Sequence, residues 1–136
     1  MIEGDQVSSS GGVGLRFGAF SYYPVVAITS ASTTAPAIHV KGTSQNRSGI
    51  RLGEGTGSTN PGNVLIQSTA ASGGGIRIQG SSAQSTPVDG SDRGITLWGE
   101  NSTHSQVDAV TYQILSNVGE IEFLSTIDSA VSEIGI

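Results

Sequence analysis

The sequence contains no cysteine, few aromatic residues and few charges. Among its 136 residues, aromatic residues make up 5% and charged residues 12%. Without cysteine, the chain forms no disulfide and no cysteine-ligated zinc site. The shortage of aromatic side chains leaves little material for the core of an ordinary globular domain. The chain must therefore obtain its stability in another way, and glycine, with 20 residues, points to tight backbone packing and turns.

Basic residues are sparse and scattered rather than clustered. Six Lys and Arg residues face 11 Asp and Glu residues, so the formal net charge is −5. Because no basic patch forms, we expect no nucleic-acid partner. Residues 1–5 are acidic and lack a signal-peptide pattern, and no apolar run approaches the length of a membrane span. We therefore expect neither export by such a signal nor a membrane partner.

A short phrase recurs along the chain: an aliphatic residue, one variable residue and a second apolar residue, usually flanked by glycine. Because strand side chains alternate between two faces, both apolar residues point the same way. The phrase begins at Val13, Ile38, Ile50, Val64, Ile76, Ile95 and Ile121. Each phrase predicts a very short strand that cannot bury its own apolar stripe. Its repetition predicts that neighbouring strands stack around one continuous core.

The spacing of the phrases predicts the organisation of the chain. Counting also Val25 and Val110, most leading positions follow one another after 12 to 14 residues, which suits a short strand and a turn. The interval of 19 residues before Ile95 includes residues 84–92, a predicted inserted loop. We divide the chain into a polar N-terminal arm (1–12), a repetitive β domain (13–124) and a C-terminal tail or short helix (125–136).

The predicted fold class is all-β, and two architectures remain open. One is a homotrimeric β-helix or β-prism built of short stacked strands, and the other is a β-sandwich or jelly roll. The nearly pure Ile, Val and Leu pairs and the flanking glycines favour the β-helix. Since one copy has little apolar material, we expect three copies to pool their aliphatic pairs along a common axis.

Four of the repeats resemble those of triple-stranded β-helices in bacteriophage virion proteins. They read AIHVKG at 37–42, GIRLG at 49–53, GIRIQG at 75–80 and GITLWG at 94–99. That group includes capsid decoration (cement) proteins, tail fibres, tail spikes and phage hyaluronan lyases. The resemblance covers about residues 36–124 and is one of pattern and composition. It implies a homotrimer on the surface of a virion, assembled in the host cytoplasm.

Two roles follow from the resemblance. The first is a non-enzymatic capsid decoration protein that clamps neighbouring subunits of the major capsid protein or another virion protein. The alternative is a segment of a tail fibre or tail spike that binds a host receptor or surface glycan, with glycan lyase or hydrolase activity in some members. The size of the chain, if it is complete, favours decoration. We predict no enzyme activity, no cofactor, no metal site and no catalytic residue.

Seven residues are candidates for contact with partners. The predicted docking surface is the aromatic cluster Phe17, Phe20, Tyr22 and Tyr23, whose alternative role is to plug one end of the β-helix. Trp98, Arg51 and Arg77 occupy outward positions and are candidates for contact with a glycan or a partner. Alternatively, the arginines pair with nearby acids and cover apolar surface with their stems.

Carboxylates and histidines were weighed as chemical groups. Glu54 and Glu100 each follow a strand, and Asp89 and Asp92 share the inserted loop. Glycoside cleavage needs two carboxyl groups roughly 5–10 Å apart, but acidic side chains in turns also serve simply to keep strand edges solvated. His39 lies between two aliphatic residues and is expected to face outward, while His104 lies in a polar loop. Their spacing predicts no metal site.

Overall fold

Ten short strands carry the fold in a computed structural model, which describes residues 1–6, 12–17, 25–45, 47–52, 63–83, 93–97 and 111–127. Within these ranges there is no helix. The strands are β1 Ile2–Gln6, β2 Leu15–Phe17, β3 Val25–Ser30, β4 Ile38–Ser44, β5 Ile50–Leu52, β6 Asn63–Ser68, β7 Ile76–Ser82, β8 Ile95–Leu97, β9 Thr111–Ser116 and β10 Ile121–Ile127. The prediction of an all-β chain is confirmed.

The strands form three parallel sheets, and every third strand belongs to the same sheet. The orders are β1-β4-β7-β10, β2-β5-β8 and β3-β6-β9. All seven strand pairs are parallel. The chain therefore winds as a three-sided coil that places one strand on each side per turn. The β-sandwich alternative is wrong, because sandwiches of that kind are built from antiparallel strands.

The register sets the length of each coil. Ile38 pairs with Ile76, so one coil takes 38 residues, and Ile76 pairs with Ile121, so the next takes 45. The longer coil includes the interval before Ile95, where the inserted loop was predicted. β8 nevertheless stays in register with β5, since Ile95 pairs with Ile50. The insertion thus leaves the stacked strands undisturbed.

The aliphatic pairs fill the interior of a single chain. The buried core cluster draws on all three sheets and comprises Ile38, Val40, Ile50, Leu52, Val64, Ile66, Ile76, Ile78 and Ile95. Burying one such side chain is worth roughly 1.5–3 kcal/mol. The expectation that one copy cannot enclose its own aliphatic pairs is wrong for the middle coil. Coils of the same chain stack on each other and supply the neighbours that further copies were expected to supply.

Glycines bring two strand backbones close together at one corner of the coil. A Cβ atom added to Gly42 would collide with the carbonyl oxygen of Gly49, and one added to Gly80 would collide with that of Gly94. Gly4 stands in the same relation to Gly14 in the first coil. Because no side chain separates the backbones there, the interior stays narrow. Two aliphatic residues per strand are enough to fill it.

Part of the predicted N-terminal arm belongs to the stack. Residues 2–6 form β1 and pair in register with Val40–Ser44 of β4. The outward side chains Glu3 and Asp5 bond to Lys41 and Thr43 of that strand, which anchors β1 in place. At the other end, residues 125–127 extend β10 rather than opening a helix. The remainder of the predicted tail, residues 128–136, lies outside the described residues.

Replacing Gly80 by alanine tests the close approach of the backbones. Alanine in place of glycine normally stabilises a chain slightly through its unfolded state. Here the added methyl group meets a backbone carbonyl that has no room to move. We expect Gly80→Ala to lower the free energy of unfolding by about 2 kcal/mol or more. Chemical denaturation followed by circular dichroism measures the change.

The neighbouring substitution Gln79→Ala is the matched control. Gln79 lies on the same strand and faces outward, so its replacement should change the stability by less than about 0.5 kcal/mol. A Gly80→Ala variant as stable as the unmodified protein would contradict the close approach.

Candidate functional site

The last described coil, formed by β8, β9 and β10, breaks the pattern of the coils before it. Apart from Met1, every exposed large hydrophobic side chain of the described residues lies there. We call this set the apolar edge. It comprises Leu97, Leu115, Val118, Ile121, Phe123 and Leu124, which are 37% to 51% exposed. An exposed group of this kind marks a surface that is suited to contact with another apolar surface.

Three members of the apolar edge continue the core columns. Ile121 stacks on Ile76, Phe123 on Ile78 and Leu97 on Leu52. In the preceding coil these columns are buried, with exposures of 1% or less. The same positions become exposed in the last coil because no further described strand stacks on it. The core therefore has an open end at β8 and β10.

Two other members face away from the core. Leu115 follows Thr29 and Gln67 in its column, and Leu124 follows Lys41 and Gln79. These outward positions are polar in the earlier coils and become aliphatic in the last coil. An open end of the core accounts for Ile121 and Phe123, but it gives no reason for leucine at outward positions. The side wall of the last coil is therefore apolar in its own right.

Two ion pairs lie on the outer face of the sheet β1-β4-β7-β10. The ammonium group of Lys41 donates to Glu3 Oε1 at 2.5 Å, and Arg77 Nε donates to Glu122 Oε2 at 2.6 Å. Both pairs are about one-third to two-fifths exposed, so each contributes little to stability. The hydrogen bond to Glu3 raises the pKa of Lys41, with the charges of Glu3 and Asp5 adding to it and burial opposing it.

A groove of about 290 Å³ lies beside the second ion pair. It forms where the turn before β4, the turn before β7 and the turn before β10 come together. The lining residues are Ala35, Pro36, Gly73, Gly74, Gly75, Ile76, Arg77, Gly119, Glu120 and Glu122. Three charged side chains and four glycines thus share one small open site.

The structure separates the two arginines that the sequence suggested as one ladder. Arg77 lies on β7, where it pairs with Glu122 and lines the groove. Arg51 lies on β5 in a different sheet, is buried, and is in register with Arg16 and Thr96. Successive repeats occupy different sides of the coil, so residues of adjacent repeats do not form a column. The hypothesis of an Arg51–Arg77 ladder is wrong.

The remaining predicted site residues are placed only in part. Phe17 is half-buried, pairs with Leu52 and packs against the core. This position agrees with the alternative role of filling the interior rather than with an exposed docking surface. His39 faces outward, next to Arg77 in its column. The other candidates, Phe20, Tyr22, Tyr23, Trp98, Glu54, Glu100, Asp89, Asp92 and His104, lie outside the described residues.

Two general features were searched for in the described ranges. No group of three or more His, Asp or Glu side chains is placed there to hold a metal ion. Those ranges also include no helix with the length and apolarity needed to cross a bilayer.

The apolar edge and the groove were not identified from the sequence. The only local signal for the edge was an aliphatic residue directly after an inward apolar one, as in Ile114-Leu115 and Phe123-Leu124. That signal is ambiguous, because Leu65 in the middle coil is also an outward aliphatic residue and is only half-buried there. The partnership of Arg77 with Glu122 depends on the 45-residue register, which no local pattern reveals.

Comparison with protein-family models, with curated proteins and with solved structures finds no match to this chain. The functional argument therefore depends on the geometry and chemistry of the described residues.

The Lys41–Glu3 pair predicts a pH dependence of stability. Because the folded state raises the pKa of Lys41 above its usual value near 10.5, the pair stabilises the fold below that pH. The contribution is lost as the pH rises through the folded pKa. We expect the stability difference between the unmodified protein and Lys41→Gln to hold from neutral pH to about 10.5 and then to vanish. Denaturant unfolding across this pH range measures it.

Arg77→Gln provides the matched control, since it removes a charge from the second ion pair of the same sheet. Arginine does not lose its proton in this range, so its stability difference should persist where that of Lys41→Gln disappears. A Lys41 difference that also persists at high pH would contradict the ion pair.

Proposed function

We propose that this protein is a non-enzymatic structural protein of a bacteriophage particle, a homotrimeric capsid decoration protein that clamps neighbouring capsid subunits. The observation that carries the proposal is the apolar edge, and above all its outward leucines Leu115 and Leu124. The resemblance of the repeats to those of phage virion proteins supplies the biological setting. The partner on the particle is the major capsid protein or another virion protein.

The position of the outward leucines supports self-association. Leu115 precedes the turn into β10 and Leu124 follows it, while Val118 lies within that turn. These side chains therefore lie around one corner of the last coil. Three copies that meet at this corner remove their leucines from water together, with closed three-fold symmetry. Each chain keeps its own core, and the trimer shares only the apolar edges.

The rest of the coil suits a protein that projects from a surface into water. Outward positions of β4 and β7 carry His39, Lys41, Arg77 and Gln79, so the sides of the middle coils are polar. A trimer presents three copies of any attachment surface to a particle. Weak contacts then combine, because the second and third contacts form at a high effective concentration.

Replacing both outward leucines by serine tests the trimer. In light scattering coupled to gel filtration, the unmodified protein should have three times the chain mass of 13.8 kDa. The Leu115→Ser/Leu124→Ser variant should have the mass of one chain, because serine removes the apolar contact without touching the core. Circular dichroism should still report β structure in this variant.

The matched control lies one coil earlier in the same two columns. Gln67→Ser/Gln79→Ser changes the residues that pair with Leu115 and Leu124, and it should remain a trimer. An unmodified protein with the mass of a single chain would overturn the proposed trimer.

Labelling of phage particles tests the location. Antibodies against a decoration protein should mark the whole shell at high copy number. Labelling restricted to the tail would instead favour the tail fibre or tail spike role. Particles without any label would overturn the virion assignment altogether.

A further inference from the structure

The groove beside Arg77 has features of a binding site that the structural role does not use. It lies on the corner where the turns between sheets stack, with Pro36 from the first turn, Gly73–Gly75 from the second and Gly119–Glu120 from the third. Its volume of about 290 Å³ lies at the lower end of the range typical of small-molecule sites. Three consecutive coils of one rigid stack therefore build its walls.

Glycines give the groove a floor of bare backbone. Gly73, Gly74, Gly75 and Gly119 all have positive φ, at 61°, 76°, 95° and 90°. Other residues rarely adopt this conformation, so side chains are excluded from the floor for a conformational reason. The rings and aliphatic carbons of Pro36 and Ala35 form an apolar wall beside it. A flat ligand can approach the backbone closely at such a site.

Hydrogen-bonding groups of both kinds point to the same space. Arg77 uses Nε to bond Glu122 Oε2, and among the described residues its terminal nitrogens have no protein partner. Glu120 is exposed, and its carboxylate likewise makes no contact within the described part of the chain. The groove therefore offers donors from the guanidinium and acceptors from two carboxylates.

The balance of charge decides which class of ligand fits. An anion that approached Arg77 would meet the carboxylates of Glu120 and Glu122, and a cation that approached them would meet the guanidinium. A neutral ligand with several hydroxyl groups avoids both conflicts, because each hydroxyl both donates and accepts. Its carbon-bound hydrogens can pack against Pro36. These are the properties of a sugar ring.

We propose that this groove binds a neutral saccharide no larger than a mono- or disaccharide, with adjacent hydroxyls held between Arg77 and the carboxylates of Glu120 and Glu122. The inference is independent of the trimer and of the location on a particle, since one chain builds the whole site. It names a sugar-binding site on the corner of the coil, away from the apolar edge residues Leu115 and Leu124.

Titration of the isotope-labelled protein with neutral sugars tests the proposal. The probes are methyl glucoside, methyl mannoside, methyl rhamnoside and N-acetylglucosamine, followed by amide chemical shifts. With at least one of them, saturable shifts should appear at Gly73–Gly75 and Gly119, the glycines of the groove floor. Arg77→Ala and Glu120→Gln should each weaken binding by about tenfold or more, the change expected from one lost charge-assisted hydrogen bond.

The control variant is Lys41→Ala, which breaks the other ion pair of the same sheet and should leave sugar binding unchanged. Glu120→Gln guards against misfolding, because Glu120 is exposed and its replacement keeps the shape of the side chain. The proposal is overturned if no sugar gives saturable shifts, or if Lys41→Ala weakens binding as much as Arg77→Ala. It is equally overturned if inorganic phosphate or calcium chloride, rather than a sugar, shifts the groove glycines.

Discussion

The close approach of two strand backbones at one corner is the constraint on which the rest of the coil depends. At Gly42 and Gly49, and again at Gly80 and Gly94, there is no space for even a methyl group between the strands. The cross-section of the coil is therefore small, and a pair of aliphatic residues from each strand fills it. A chain with few aromatic residues can seal a core in this geometry, because the core extends along the axis rather than outward.

The same constraint identifies the coil at which the repeat changes. The glycine column runs through Gly4, Gly42 and Gly80 and then reaches Ser125. At that coil, the outward columns also change from polar residues to Leu115 and Leu124. The inner and outer rules of the repeat thus end together. Such a coincidence is expected where stacking on the same chain gives way to contact with a different surface.

Much of the strand pattern was predictable from the sequence, because alternation of side chains is a local signal. Ile38, Ile50, Ile76, Ile95 and Ile121 were predicted as leading residues, and all begin strands. Which strands pair was not predicted, since stacking within one chain and stacking between chains produce the same local phrase. A longer signal was present: residues 38–44 read IHVKGTS and residues 76–82 read IRIQGSS, one coil apart. β1 was missed because residues 2–6 contain a single aliphatic residue, although Gly4 occupies the glycine column.

The two ends of the coil differ in a way that bears on how copies associate. A second copy that continued the stack beyond β10 in the same register would place its Glu3 next to Leu124, since Glu3, Lys41, Gln79 and Leu124 occupy one column. A carboxylate against a leucine loses hydration without gaining a partner. Charges on β1 therefore discourage open head-to-tail growth, as charged edge strands do in other sheets. Association through the apolar edge is then favoured as a closed assembly, in which identical leucine-bearing corners meet each other and growth stops.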